Sequence, residues 1–550
     1  MGRHTRYLAE GATIPPFRTT LALFNPSDRP AAVLLRFLCQ RACGVPDIPD
    51  QPTVVRKLVT LPPFSRGTVQ VGDIAGLATE EFATIIEADQ PVVVDRTMLW
   101  DSTSYGSHTE TAMAAPSSTW YLAEGATISG FKLFYLLQNP NATQTDVTIE
   151  YLLGGGRAPV TRTYALPPNS RTTIDVSAAA TSLQRAEVSA RITSAPETPI
   201  LVERAMYLDA GRKLFGAGHA SAGITTLAPT WSFAEGATGT YFDTFILLAN
   251  PSDQPTTVRA TFLLPDGRTI ERLYPLPAKS RENIWVDQAA PELADTAVST
   301  VVESVDDLPF LAERAMWWPG PTSTQWREAH NSPGALASST SWGLAEGMLG
   351  GPTAVETYVL IANTSPFQGT ARVTLTFEDD GSRLERTFGV AASSRTNVPI
   401  GAEFPQATGR RFAVLVESLG ALPAQLVVER AMYSNSGKDI WAAGTNALGT
   451  PLSNEKVITI TAQGVTPKVL IVAPGDQVTV RNVDAVAHQI FSGPYLERSQ
   501  CPAMNQVGYL APGATRVTGN FTTPGVCGFL DDVSLGQQVK REFMGFVIVK

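Results

Sequence analysis

Thr257-Val258-Arg259-Ala260-Thr261-Phe262 alternates without a break: Val258, Ala260 and Phe262 are apolar or small, while Thr257, Arg259 and Thr261 are polar. A period of two is that of a pleated strand with one face buried and one wet. A helix would repeat its apolar residues every three or four positions. The same reading holds further on, where Val373, Leu375 and Phe377 alternate with Arg372, Thr374 and Thr376. Both runs end in turn residues, Pro265-Asp266-Gly267 and Asp379-Asp380-Gly381, which predict hairpins. Working outward, about seven or eight such short strands fit into about 110 residues, a density that predicts an antiparallel β-sandwich of immunoglobulin-like type. A β-propeller with two blades per unit is the alternative, ranked lower because the sequence shows no echo at half the period.

The unit is copied. Leu8-Ala9-Glu10-Gly11-Ala12 returns as Leu122-Ala123-Glu124-Gly125-Ala126, Phe233-Ala234-Glu235-Gly236-Ala237 and Leu344-Ala345-Glu346-Gly347-Met348. Three more landmarks keep step. Asn25-Pro26-Ser27 matches Asn139-Pro140-Asn141, Asn250-Pro251-Ser252 and Asn363-Thr364-Ser365. Leu61-Pro62-Pro63-Phe64-Ser65-Arg66 matches Leu166 to Arg171, Leu276 to Arg281 and, more loosely, Val390 to Arg395. Asp95-Arg96-Thr97-Met98 matches Glu203-Arg204-Ala205-Met206, Glu313-Arg314-Ala315-Met316 and Glu429-Arg430-Ala431-Met432. Four landmarks in one order define repeats over residues 1–118, 119–229, 230–340 and 341–452, with a different domain over 453–550.

Composition narrows the function. Of 550 residues 43% are hydrophobic, enough to fill several cores, so long disorder is not expected. The net charge is −9 and no Lys/Arg run occurs, which argues against a nucleic-acid partner. No apolar stretch reaches the ~18 residues of a membrane span. The four cysteines fall in two local pairs, Cys39 with Cys43 and Cys501 with Cys527, as an oxidising compartment tolerates. Met1-Gly2-Arg3-His4 runs straight into repeat sequence with no leader, so either the protein is cytoplasmic or its natural start lies upstream, and the second is expected.

The repeated polar residues have two readings each. His108, His219 and His330 stand 12 positions before Trp120, Trp231 and Trp342; in the fourth copy Gly444-Thr445-Asn446 has no histidine. They are either hydrogen-bonded linkers or a pH-sensitive or metal-binding feature at each junction, and one His with one Glu is too few for zinc. Glu10, Glu124, Glu235 and Glu346 are expected to pair with Arg96, Arg204, Arg314 and Arg430 as structural ion pairs, the alternative being a hold on a ligand carboxylate or a calcium ion. Met98, Met206, Met316 and Met432 are expected to fill core gaps. No nucleophile elbow, phosphate loop or His-Glu-x-x-His helix is present, so a non-enzyme is expected.

The repeats, from their W-x-L-A-E-G starts and V-E-R-A-M-Y ends, resemble an uncharacterised repeat of large bacterial surface proteins, which implies a secreted or cell-surface location. Residues 453–550 resemble a cupredoxin. The likeness rests on Pro474-Gly475-Asp476 through Asn482 to His488, on Cys501-Pro502-Ala503-Met504-Asn505, on Thr523-Pro524-Gly525-Val526 and on the closing Met544-Gly545 strand. It implies a Greek-key β-sandwich. Val469 to Val472 and Val478 to Val480 are read as a hairpin-like pair around Pro474-Gly475. Cupredoxins hold copper with two His, a Cys and a weak axial Met. Carried over, His488, Cys527 and Met544 are the metal candidates. Where related domains have an aromatic-His-Asp-His run, this chain has Phe529-Leu530-Asp531-Asp532, so the copper set is incomplete. Cys527 is either a ligand or half of a disulfide with Cys501, and Asp531 or Asp532 with His488 is a weaker site for a harder ion. Cys39 and Cys43 are a second candidate disulfide. The expected function is a repeat stalk with a cupredoxin-like tip, structural or interacting with an unknown protein or surface polymer, with self-assembly possible. Copper handling is the alternative; otherwise no cofactor is expected.

Overall fold

In the computed structural model the described residues are 4–40, 43, 54–100, 106–153, 157–209, 215–319, 326–437, 439–452, 456–493, 498–531 and 540–550. The chain is all-β, with antiparallel sheets in the four repeats as the alternation predicts. The first repeat shows the plan. Its strands are β1 (His4–Leu8), β2 (Phe17–Asn25), β3 (Ala31–Cys39), β4 (Val54–Leu61), β5 (Ser65–Gln70), β6 (Phe82–Ala88), β7 (Val93–Trp100) and β8 (Ser107–Thr111). They form two sheets, β1-β6-β3-β4 and β5-β2-β7-β8. The alternating residues Val33, Leu35 and Phe37 of β3 are fully buried between them. The other three repeats copy both sheets, the fourth adding a short strand at Thr450–Pro451. Ser117, Ala228 and Ser339 already bridge into the following repeat, so the units begin a residue or two ahead of the sequence boundaries.

Two landmarks turn out to be turn devices. The asparagines Asn25, Asn139, Asn250 and Asn363 are fully buried. Asn139 Nδ2 donates to the carbonyls of Thr143 (2.9 Å) and Pro167 (2.8 Å), and its Oδ1 accepts from the Asn141 backbone N–H (3.0 Å). One side chain thereby pairs backbone groups of two loops that neither sheet ladder can reach. Phe64, Asn169, Lys279 and Ser393 all adopt left-handed backbone (φ 43° to 49°), turning the chain tightly before each Ser-Arg pair.

The repeats do not follow one another as a stalk; they close. β8 and its counterparts Ala217–Ala222, Glu328–Pro333 and Asp439–Leu448 pack around one axis, each on the next and the fourth back on the first. The β5-β2-β7-β8 sheet of each repeat faces the other kind of sheet in its predecessor. At the closing junction Ala22, Phe24 and Val93 of the first repeat form one apolar cluster with Ala345 and Ala413 of the fourth. The expected end-to-end stalk is therefore corrected to a ring of four β-sandwiches, because each unit's outward sheet face is apolar enough to need its neighbour.

The C-terminal domain is a second kind of sandwich. One sheet holds Gly464–Thr466, Val457–Thr461, Thr479–Asn482 and Thr515–Val517; the other holds Val469–Val472, Met544–Val549, Gly525–Asp531, His488–Ser492 and Gly508–Leu510. Val457–Thr461 runs parallel to Thr479–Asn482, and Val469–Val472 parallel to Met544–Val549. The expected hairpin around Pro474-Gly475 is corrected: its two strands belong to different sheets, so the turn crosses over the core. The domain rests on the third repeat, where Val469 and Ile548 join that repeat's apolar core and Arg541 donates to the Val305 carbonyl. No helix among the described residues is long and apolar enough to cross a membrane.

Candidate functional site

At each junction an acid of one repeat is held by the preceding repeat. Glu203 accepts the Ala9 backbone N–H at 2.6 Å and an Arg96 N–H at 2.6 Å. Glu313 accepts from Ala123 N (2.8 Å) and Arg204 (2.7 Å). Glu429 accepts from Ala234 N (2.8 Å) and Arg314 (2.8 Å). Asp95 closes the series, accepting Ala345 N and Glu346 N, both at 2.9 Å. Asp95 is shorter than the glutamates by one methylene, and Arg430 hydrogen-bonds Thr445 at 3.0 Å instead.

This arrangement differs in part from the expected pairing. Glu10 lies 3.2 Å from Arg96 and Glu124 3.4 Å from Arg204, within their own repeats. Glu235 instead pairs with Arg395 (3.6 Å), and Glu346 with Arg66 (2.7 Å) and Arg411 (3.1 Å). The acid that carries each junction, the first residue of the Glu-Arg-Ala-Met landmark, was missed as a partner. Its signal was present, since it recurs beside the arginine in every copy. The Ser-Arg arginines also reach into the preceding repeat: Arg171 to Glu81 (3.3 Å) and Arg281 to Glu187 (3.1 Å), while Arg395 donates to the Gly236 carbonyl (2.6 Å).

The three histidines sit fully buried around the axis. His219 Nε2 is 3.1 Å from Glu124 and His108 Nε2 3.7 Å from Glu10, whereas His330 meets Arg314 (3.2 Å) and the Tyr433 hydroxyl (3.3 Å). Strand register places Met98, Met206 and Met316 opposite these histidines and Met432 opposite Thr445, which makes Thr445 the fourth member of the series. Burial, with Arg96 close by, pushes His108 well below the usual imidazole range, and burial with Arg314 does the same to His330. Glu328 plugs the axis: it accepts backbone N–H groups from Ser107 (3.2 Å), Gly218 (3.1 Å) and its neighbour Ala329 (2.9 Å). Burial nevertheless raises it well above the usual carboxylate range. Glu110, buried beside Glu203, is pushed up to about 8 and accepts Ala222 N–H at 2.6 Å.

In the C-terminal domain His488 is only 3% exposed. Its Nδ1 lies 2.7 Å from Asp531 and its Nε2 3.1 Å from Asp484, and its ring stacks on Phe543. Burial opposes the charged ring, but the two carboxylates outweigh it and raise the imidazole above its ordinary value. Cys501 and Cys527 form a disulfide, as do Cys39 and Cys43. Met544 is opposite Leu530 on the neighbouring strand. These residues do not fit copper. Both His488 nitrogens face carboxylates and the Cys527 sulfur is bonded, so neither of these two candidate ligands is presented to a metal. Among the described residues no group of three or more His, Cys, Asp or Glu is placed to hold a metal ion. Asp532 lies outside the described residues.

No family model and no curated protein matches the chain. Solved structures do. A purple cupredoxin from Nitrosopumilus maritimus is 21% identical with a TM-score of 0.14, covering 18% of this chain and 100% of its own. An amicyanin is 17% identical (TM-score 0.14; 18% of this chain, 85% of its own). The plastocyanin of Dryopteris crassirhizoma is 17% identical (TM-score 0.14; 17% of this chain, 99% of its own).

Proposed function

We propose that the chain is a non-enzymatic structural or interaction protein of the cell surface or extracellular space, a rigid four-unit ring carrying a cupredoxin-like domain that does not use copper. The observation behind this reading is how the repeated ionisable residues are spent. The acids of the Glu-Arg-Ala-Met landmark, three of its four arginines and the Ser-Arg arginines face a neighbouring repeat and serve closure. A charge buried for packing is a poor reagent, since substrate cannot reach it. In the cupredoxin-like domain the disulfide and the two carboxylates on His488 support the same view. The two disulfides are compatible with an oxidising compartment.

Titration of the purified chain with Cu(II), followed by visible absorption and metal analysis after desalting, tests the reading. The expected result is no intense visible band and less than a tenth of an equivalent retained. A strong band with one equivalent bound would replace this function with copper handling.

A further inference from the structure

The four strands that meet on the ring axis are edge strands: β8 and its counterparts each pair with one neighbour in their own sheet and turn the other edge inward. The N–H groups on that edge need partners that apolar packing does not supply. Register makes Ser107, Gly218, Ala329 and Gly444 equivalent, since they stand opposite Leu99, Tyr207, Trp317 and Tyr433. All four donate their backbone N–H to a single group, the carboxylate of Glu328: Ser107 at 3.2 Å, Gly218 at 3.1 Å and Ala329 at 2.9 Å, with Gly444 as the fourth. Each repeat thus contributes one matching donor to one carboxylate.

The carboxylate itself is not a repeated feature. Gly106, Ala217 and Ala443 hold the positions equivalent to Glu328, so only the third repeat sends an acid to the axis from this place. Glu328 is fully buried, and each of its named partners is a donor. Four N–H groups converging on one point form a cradle for negative charge. The device recurs further along the strands, where Glu110 accepts from Thr111 at 2.9 Å and from Ala222 at 2.6 Å, again equivalent positions. There the third repeat has Pro333, which has no N–H to give. The complete cradle is therefore the one around Glu328.

We propose that the ring axis is an anion-binding site of this fold, which the chain fills from within with Glu328 and which takes a small free carboxylate when that side chain is cut short. An anion that draws one N–H from every repeat holds the four edge strands at matching heights, because sliding any one repeat breaks its bond. A cavity of about 310 Å³ lies against Glu328, lined also by Trp318, Asp439 and Trp441, and gives a free ion its way to the axis. Glu328→Ala suits the test, since Ala217 and Ala443 show that the backbone accepts alanine here. Acetate restores what that substitution removes, the carboxylate and the carbon that bears it.

The test is calorimetric titration and urea unfolding of the full chain with acetate, and with pivalate as an anion of the same charge and greater bulk, at constant ionic strength. The expected result is one-to-one binding of acetate to Glu328→Ala, at least tenfold weaker binding of pivalate, and no binding of either to the parent. The unfolding midpoint is expected to climb with acetate in the variant alone. If Glu328→Ala folds only when acetate is present, its refolding yield reports the same rescue. Glu328→Gln keeps the shape, removes the charge and still fills the cradle, so it is expected to be less stable than the parent and indifferent to acetate. Four results overturn the proposal: no acetate binding to the folded alanine variant, failure of that variant to fold even in acetate, an equal response in the parent, or a Glu328→Gln chain as stable as the parent.

Discussion

Arg96 Nη1 lies 2.6 Å from Glu203 Oε2, an ion pair across the boundary of the first and second repeats in which both side chains are fully buried. Glu203 also takes the Ala9 backbone N–H, so one carboxylate fixes both a strand and a side chain of the neighbouring unit. Removing one partner of such a pair strands the other charge in a low-dielectric interior.

Glu203→Ala is therefore expected to lower stability by about 3–5 kcal/mol, with urea unfolding as the measurement. Replacing both partners with apolar residues, Arg96→Met with Glu203→Leu, is expected to recover a substantial part of the loss. A change below about 0.5 kcal/mol for the single variant, the size typical of an exposed site, would show that the junction is not packed as described.

The pH dependence of the ring follows from Glu110. Its folded pKa of about 8 lies above the ordinary 4.5, raised first by burial and then by Glu203. The folded state thus holds a proton that the unfolded chain releases above about 4.5, and the stabilisation is present below that pH and is lost as pH rises through about 8. Glu110→Gln, which mimics the protonated form, is expected to flatten the stability profile between pH 5 and 9 by an amount on the order of a few kcal/mol. An identical slope in the parent and the variant, measured by urea midpoints across that range, would contradict the assignment.

His488 shifts upward for a different reason: Asp531, and then Asp484, favour its charged form against the opposing effect of burial. A raised imidazole contributes stability that is complete below the ordinary value of 6.5 and fades as pH climbs through the folded value. Proton NMR of the imidazole is expected to give a midpoint above 6.5, falling in Asp531→Asn. A midpoint below 6.5 in the parent would contradict the geometry.

Asn139 is predicted to be among the costlier polar positions. Asn139→Ala leaves the carbonyls of Thr143 and Pro167 and the Asn141 N–H without a shared partner. The expected loss is about 2–4 kcal/mol, from a small cavity plus unpaired buried backbone groups. A cost under about 0.5 kcal/mol in chemical denaturation would mean that these groups find other partners.

Much of this architecture is legible in the chain. The alternation around Val258 and Phe262 marks the strands, and the landmarks mark the copies. Ring closure is not legible, because a repeat shows only that units are alike. Whether Glu203 meets its own repeat's Arg204 or the previous repeat's Arg96 depends on how sheets face one another, which no local pattern encodes. The pair around Pro474-Gly475 was misread for a related reason: a tight turn between two apolar runs suits a hairpin and a crossover between sheets equally well. In the C-terminal domain the resemblance pointed to His488 and to the choice open to Cys527. Asp484, four residues before His488, lies in the stretch that carries the likeness, but nothing in the sequence marks it as a partner of His488; its N–H bonds Asn482 Oδ1.

The central claim is closure, and small-angle X-ray scattering of the monomeric chain tests it most directly. A compact chain of this length has a radius of gyration of about 24 Å, and the ring predicts a value near that with a globular distance distribution. Five domains strung end to end would give roughly twice the radius, with the long tail of a rod, and that result would contradict the account.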